Sequence, residues 1–497
     1  MSRDHLLVID QGTTSTRVVV FDVGCRPCAQ TQVEVAPMLS RPGRVEHDAA
    51  AIVGSLGPLA SEALVVAGVK PSDVAAVGIT NQRETIVVWD RADGRPIAPA
   101  IVWQDRRTSE FCERHKADEA WLSARTGLVL DPYFSATKLA WLLDHVEGAR
   151  ARAETGAIAA GTIDSFLIWN LTGGRTHATD VTNASRTLLM DLRQACWDDE
   201  LCSFFRVPKS ILPRIMPSAG VFGMTRGLDW LPDGVPIAGV AGDQQASLAG
   251  QGCLAAGEAK CTYGTGAFLL VHTGGEPRVS RQGLITTRAA NDGDSPQYAL
   301  EGSVFVAGAA VQWFRDGLKA VGAAHEIDRL CLDANPNSEV VFVPALTGLG
   351  APHWNPEARG TIFGLTRATT VADLARAVLD GVAYQVADLI EAMAADLGAS
   401  PRALRVDGGM ARSDPFLQFQ ADLLDQMIAR SPQAESTALG AALLAGVGIG
   451  LWPSLAHAAA LLPSGGQAFE PNIDSVRREQ LIARWCRAIQ SVNKHYE

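Results

Sequence analysis

The sequence is short of positive charge. Lys and Arg number 43 against 54 Asp and Glu, a formal net charge of -11. A chain whose main partner is nucleic acid or an anionic membrane surface carries the opposite bias, so neither partner is expected. Long hydrophobic runs are missing too. The apolar and glycine run 439–452 has 14 residues, where a membrane span needs about 18–20. It reads as a closely packed internal helix followed by a turn. Arg3, Asp4 and Asp10 break up the first apolar residues, so no secretory leader is read there. The cysteines are nine, an odd and scattered set, which argues against a disulfide framework and suits free thiols in the cytoplasm. The one CxxC, Cys25 to Cys28, follows a strand without a second ligand pair; it reads as a turn with two incidental thiols. GxxxxGK[ST], HExxH and zinc-type Cys/His spacings do not occur, and no GxGxxG follows a strand convincingly. A nucleotide bound here is held by something other than a P-loop.

What is present is an ordinary globular composition, 47% hydrophobic and 20% charged over 497 residues. That length exceeds what one core supports and predicts at least two domains. Apolar, β-branched runs at 6–9, 17–21, 74–79, 86–89, 236–240, 267–271, 340–343 and 403–406 read as strands. Between them lie helical spacings. The clearest covers 371–397, with Thr370 and Asp373 as a capping pair and Gly398 as its stop. Alternating strands and helices imply α/β layers. A faint repeat organises them: strand, "QGTTSTR", strand near the start, then Glu258–Tyr263, Gly264-Thr265-Gly266 and Ala267–Val271 further on. Two similar lobes facing across a cleft account for it, with a hinge-like boundary near residue 250 separating 1–250 from 251–497.

Four polar segments interrupt this apolar frame. In Asp10-Gln11-Gly12-Thr13-Thr14-Ser15-Thr16-Arg17, free N–H groups, hydroxyls and a fixed cation suit an oxyanion. Asp10 makes sense beside a phosphate only with a divalent cation between them; a polar hairpin capped by Asp10 is the plain alternative. The stretch looks longer than a hairpin turn requires. Gly242-Asp243-Gln244 closes a buried strand and opens a helix, where α/β proteins bind ligands, although a simple helix cap is the commoner role for a single Asp in this setting. Asp407-Gly408-Gly409 lies between strand and helix and permits close approach of a flat or anionic group. In Thr80-Asn81-Gln82-Arg83-Glu84-Thr85, Arg83 and Glu84 can grip a hydroxyl-rich neutral ligand together only if the backbone bulges, because adjacent strand residues face opposite ways. A solvated surface pair is the alternative.

Taken together and in this order, "DQGTTSTR", "GITNQRET", "AIVWQDRRT", "TGLVLDPYFSATK", "TNASRT", "AGDQQASLAGQG", "TYGTGAFLL", "ALEGSVFVAGAAVQW", "TGLGAPHWNPEARG" and "RVDGGMARSDPFLQFQADLL" resemble the FGGY family of carbohydrate kinases, and within it the glycerol-phosphorylating branch. The likeness spans about residues 6–450. It implies a two-lobed α/β fold of the actin-like ATPase (ribonuclease H-like) class with a central cleft, ATP and Mg²⁺ as cofactors, and phosphorylation of glycerol to sn-glycerol 3-phosphate in the cytoplasm by a homo-oligomer, dimer or tetramer. A kinase of the same fold for erythritol or threitol, or a non-catalytic sugar-responsive regulator, are the rival readings. Carried over by position, the resemblance assigns the alcohol to Arg83, Glu84, Tyr133, Asp243 and Gln244, flanked by Trp103 and Phe268. It assigns the nucleotide to Thr13, Thr14, Ser15, Thr265, Gly308, Gln312, Gly409 and Ser413. Arg17 approaches the transferring phosphate, Asp10 and Asp243 the metal, and Asp243 is the general base. The sequence departs from the family pattern at Ser413, where Asn is usual, and at Arg44, where Trp is usual. Residues 222–235 lack a phosphorylatable histidine and a clear match to a loop for an inhibitory sugar bisphosphate.

Overall fold

The computed structural model describes residues 3–293, 295–433, 435–462 and 465–496. Its frame begins with a tight hairpin. Strand β1 (His5–Gln11) turns through Gly12-Thr13-Thr14 into β2 (Ser15–Asp22), which pairs on its other side with β3 (Pro27–Glu34). The polar connection is therefore shorter than the sequence suggests: the ladder runs on through polar residues, pairing Asp10 with Arg17 and Gln11 with Thr16. Opposed residues of an antiparallel pair share a face, so this register sets the acid and the base side by side.

Helix α1 (Ala49–Ala67) then packs along β2 and β3. It is long and apolar enough to cross a membrane by length and composition alone, but Ile52, Leu56, Ala60 and Ala63 are buried in the same core as Val18 and Val20. Strand β4 (Val74–Asn81) lies parallel to β1. After α2 (Ser135–His145), β5 (Ala219–Met224) and β6 (Pro236–Gly242) complete a sheet of order β5-β6-β4-β1-β2-β3, and α3 (Asp243–Gly250) follows at once.

The second half repeats this plan. Strand β7 (Glu258–Tyr263) turns through Gly264-Thr265-Gly266 into β8 (Ala267–Gly274). Strands β9 (Ile285–Arg288) and β10 (Tyr298–Val304), helix α4 (Val371–Leu397), β11 (Ala403–Asp407), α5 (Asp414–Leu424), β12 (Ile428–Arg430), α6 (Ser436–Gly448) and β13 (Ala468–Phe469) follow. The sheet order is β9-β10-β8-β7-β11-β12-β13. Where β1 is antiparallel to β2 and parallel to β4, β7 is antiparallel to β8 and parallel to β11; β6 and β12 extend each sheet in parallel, and β5 and β13 close it antiparallel. The repeat read from two glycine-threonine turns thus extends to six strands in each half.

Helix α4 keeps its expected limits. Thr370 and Asp373 form a reciprocal capping box, and Gly398 ends the helix in the left-handed conformation. Helix α6 is the internal helix expected from the 439–452 run, but it does not stay with its own sheet: it packs across β4, β6 and α3 of the first half. All nine cysteines are free; Cys25 is buried and burial pushes its thiol up to about 12, as befits an incidental turn residue.

Candidate active site

The site is built first by a break in a strand. Residues 82–85 join β4 to the strand Ile86–Asp90, and Glu84 takes a left-handed conformation, φ 59°. The Thr85 N–H donates to the Arg83 carbonyl at 2.7 Å, tightening the turn. This is the bulge required for neighbouring side chains to serve one centre. Arg83 and Glu84 are 2% and 1% exposed, which removes the surface-pair alternative. A buried guanidinium must be paired. Arg83 Nη2 donates to Glu301 Oε1 at 3.0 Å, Nη1 to Glu301 Oε2, and Nε lies 3.2 Å from Asp243 Oδ1. Arg186 Nε donates to Glu84 Oε1 at 2.5 Å and Nη2 to Glu301 Oε1 at 3.1 Å. Burial raises Glu84 above the ordinary glutamate range, against the pull of Arg186 and Arg83.

Asp243 is not the helix cap. Gly242 occupies that position, and Asp243 is the first residue of α3, its Oδ1 accepting the Gln244 N–H at 2.7 Å. The carboxylate keeps 30% exposure while Arg83 beside it is closed off. Asp10 faces the same centre: burial pushes its carboxyl up to about 7, with Arg17 opposing and Asp243 and Glu435 reinforcing. Arg17 shares its face with Asp10 and donates through Nη1 to Glu435, just before α6. Asp10, Asp243 and Glu435 thus gather with Arg17, and Arg83 lies against Asp243. The chemistry of this donor set fits a divalent cation, which binds through one or two carboxylates plus phosphate oxygens.

Aromatic rings wall the polar centre. Trp103 meets Tyr133 edge-on at 5.5 Å and Phe268, from the second half, at 6.5 Å. The Trp103 Nε1–H donates to Thr13 Oγ1 at 2.8 Å, tying the wall to the first glycine-threonine turn. Tyr133 Oη lies 3.5 Å from Arg83 Nη2. Its loop is fixed from beneath by the buried Lys138 of α2, whose Nζ donates to the carbonyls of Pro132, Tyr133 and Phe134 at 2.9, 2.6 and 2.9 Å. Gln244, expected at the alcohol, accepts through its amide oxygen from Nζ of the buried Lys260 of β7.

On the other side, Thr265 in the second turn accepts the backbone N–H groups of Ala307 and Ala309, seating the short helix that carries Gly308 and Gln312 against it. Thr14, Thr265, Gln312 and Gly409 are exposed, with Thr13 and Ser15 partly so. The paired glycines differ in kind. Gly408 has φ +91°, and a Cβ there would meet the Tyr263 backbone at 2.4 Å, whereas a Cβ at Gly409 would enter open space. Packing demands the first glycine; the second leaves room for a ligand. Ser413 is buried, donates to Asp328 Oδ1 at 2.6 Å and accepts the Phe416 N–H at 3.3 Å as the cap of α5. Its hydroxyl is thereby committed within the protein. Arg44, the other departure, rests on the Trp141 ring at 5.2 Å.

Glu301, Arg186, Lys260, Glu435 and Lys138 were not singled out from sequence. The available signal was a charged residue inside an apolar strand, as in Ala299-Leu300-Glu301-Gly302 or Ala259-Lys260-Cys261, because such a group must find a buried partner.

Two repeated sheets, each carrying a glycine-threonine hairpin, with an acidic centre at the first, define a two-lobed phosphotransferase of the actin-like ATPase class. Residues 5–250 match the N-terminal domain of the FGGY family of carbohydrate kinases, and residues 259–449 its C-terminal domain. The chain belongs to that family. It is 51% identical over 487 residues to the glycerol kinase of Trichlorobacter lovleyi, covering 98% of each chain. It is 50% identical over 490 residues to that of Myxococcus xanthus, covering 98% of this chain and 99% of the relative. Among solved structures, Plasmodium falciparum glycerol kinase with ADP superposes with a TM-score of 0.92 at 36% identity, covering 98% of each chain. A xylulose kinase from Lactobacillus acidophilus shares the fold, with a TM-score of 0.88 at 22% identity over 99% of each chain.

Proposed function

We propose that this chain is an ATP-dependent glycerol kinase that yields sn-glycerol 3-phosphate. The observation that carries the reading is Asp243: a partly exposed carboxylate at the start of α3, 3.2 Å from Arg83 of the Arg83, Glu84, Tyr133, Trp103 and Phe268 cluster; its charge also reaches Asp10. Its support from relatives is the full-length likeness to glycerol kinases.

Glycerol offers three hydroxyls, so recognition rests on hydrogen bonds. Arg83 and Tyr133 donate, Glu84 and Asp243 accept, and Trp103 with Phe268 covers the carbon chain. Asp243 takes the proton from one terminal hydroxyl. That oxygen forms its bond to the γ-phosphorus of ATP as the bond from that phosphorus to the β–γ bridging oxygen breaks. Thr13, Thr14 and Ser15 in the first hairpin and Thr265 in the second hold the phosphates from opposite sides. Gly308, Gln312 and Gly409 receive the nucleoside end. Ser413 acts there through α5 and Asp328. Arg17, steered by Glu435, neutralises charge on the transferring group. Asp10 and Asp243 would hold Mg²⁺, which when bound neutralises charge on the phosphate oxygens. The lobes correspond to residues 1–250 and 251–497, with α6 returning to the first. Nine free thiols suit a reducing cytoplasm, and assembly as a homo-oligomer completes the reading.

A coupled assay of ADP release over glycerol, erythritol and threitol tests it. Glycerol is expected to turn over fastest, and Asp243→Asn to lower kcat by about 10²–10⁴ with nucleotide binding retained. Faster turnover of a four-carbon polyol, or an Asp243→Asn enzyme of wild-type kcat, would overturn the reading.

A further inference from the structure

Arg83, Glu301, Arg186 and Glu84 form a closed ring of alternating charge. Its links are Arg83 Nη2 to Glu301 Oε1 at 3.0 Å, Glu301 Oε1 to Arg186 Nη2 at 3.1 Å, Arg186 Nε to Glu84 Oε1 at 2.5 Å, and Glu84 Oε1 to Arg83 Nε at 3.9 Å. All four side chains are buried. Three come from the first half of the chain. Glu301 alone comes from the second, from the middle of β10. It faces Leu270 across the sheet while Ser303 faces Phe268, so Glu301 and Phe268 point from the same face of the second sheet. The second lobe therefore supplies both an aromatic wall and the carboxylate that grips the substrate arginine.

We propose that Glu301 is a positioning and specificity residue for the acceptor alcohol, fixing the Arg83 guanidinium from across the lobes so that its donors hold a set place for a substrate hydroxyl. This rests on the glycerol kinase reading. The reason is geometric. Glu301 engages both Nη atoms of Arg83 and leaves only Nε for Asp243, at 3.2 Å. Without that grip the guanidinium is free to turn its paired Nη donors onto Asp243, the one carboxylate of the group that keeps solvent access. It would then mask the base and vacate the place of the hydroxyl. Burial alone would raise Glu301, yet the charges of Arg186 and Arg83 hold it down at about 2, so the grip persists through the working pH range.

The test uses full-length Glu301→Gln, which removes charge, and Glu301→Asp, which keeps charge but shortens the reach. Glycerol binding is measured by calorimetry without nucleotide, and KM is measured separately for glycerol and ATP. Discrimination against propane-1,2-diol and propane-1,3-diol gives a third readout, because a site that loses a fixed hydrogen bond loses its preference for the hydroxyl. Both variants are expected to raise the glycerol Kd and KM about tenfold or more, to hold KM for ATP within about twofold, and to narrow the preference for glycerol over the diols. Wild-type glycerol affinity and preference in both variants would overturn the proposal. So would equal losses for glycerol and ATP alongside a lowered Tm, the mark of a structural role. Should Glu301→Gln fail to fold, Glu301→Asp decides by the same criteria. A wild-type protein that does not bind glycerol would instead sink the underlying reading, and this inference with it.

Discussion

Glu301 and Asp164 are both fully buried, yet their carboxyls are driven in opposite directions. Glu301 sits between two guanidiniums and stays ionised. Asp164 accepts from the hydroxyls of Thr162 at 2.5 Å and Thr179 at 2.6 Å, and its charged neighbour is another carboxylate, Asp180. Burial, reinforced by Asp180, pushes Asp164 up to about 7. Asp180 in turn caps the short helix Val181–Ala184, which leads to Arg186, so this pair stands behind the charged ring. The folded-state value lies above the unfolded value of 3.8. The contribution of Asp164 to stability is therefore complete below pH 3.8 and is lost as pH rises through about 7. Asp164→Asn has no proton to lose. Its Tm relative to wild type is expected to be higher at pH 8.5 than at pH 5, and thermal melts at both pH values check this; equal offsets would mean Asp164 is charged throughout. At this scale the sequence disclosed Arg83, Glu84, Tyr133, Asp10 and Asp243 through their motifs. The ring that holds them stayed hidden because its pairs span 102, 115 and 218 residues of chain, and no local pattern encodes such a distance.

Elements were legible where periodicity and end signals agreed. All eight apolar runs became strands, and 371–397 became α4 with both of its ends. Other strands escaped, β3, β5, β9, β10, β12 and β13 among them, and two were cut short. The edge strand β3 reads Pro-Cys-Ala-Gln-Thr-Gln-Val-Glu and buries only Thr31, so it carries no apolar alternation. Strands β1 and β2 extend past their apolar residues because a ladder is held by backbone pairing, whatever side chains it bears. The start of α4 gives a measurable case. Thr370 Oγ1 accepts the Asp373 N–H at 3.3 Å, and Asp373 accepts the Thr370 N–H at 2.8 Å and the Asn335 N–H at 2.9 Å. Thr370→Ala removes the first of these bonds and also the one Thr370 Oγ1 donates to Asp373 Oδ2 at 2.8 Å, and is expected to cost about 1 kcal/mol. In a chain this long that is a small global change, so the informative readout is local. Hydrogen exchange at the first-turn amides, Ala372 to Leu374, should quicken about fivefold while the helix middle is unchanged. An unaltered first turn would place the end of α4 under the control of Asp373 and tertiary packing.

The two-lobed plan was visible in outline from the twin glycine-threonine turns, but not the thread that ties the lobes together. The run Leu439-Gly440-Ala441-Ala442 announces close packing without naming its partner. That partner is the first-half helix α3, which carries Asp243. A Cβ on Gly440 would fall 1.8 Å from the Ala246 carbonyl oxygen, and one on Gly250 would fall 1.9 Å from that of Ser436. The helices therefore touch backbone to backbone, and α6 clamps the element that presents the proposed base. Gly440→Ala sets two effects against each other. Alanine gains roughly 1 kcal/mol in helix propensity, while overpacking costs about 1–3 kcal/mol. Because the obstacle is rigid backbone, the clash should win, lowering Tm and displacing α3 enough to cut kcat about tenfold or more. Gly54 in α1 isolates the propensity term: it is an exposed helix residue where an added Cβ meets nothing within 4 Å. Gly54→Ala should accordingly stabilise by about 0.5–1 kcal/mol and leave kcat unchanged. Opposite signs for one substitution at two helical glycines would establish the α3–α6 contact as a mechanical link between the lobes. A Gly440→Ala protein as stable and as active as Gly54→Ala would show that α3 is free of it.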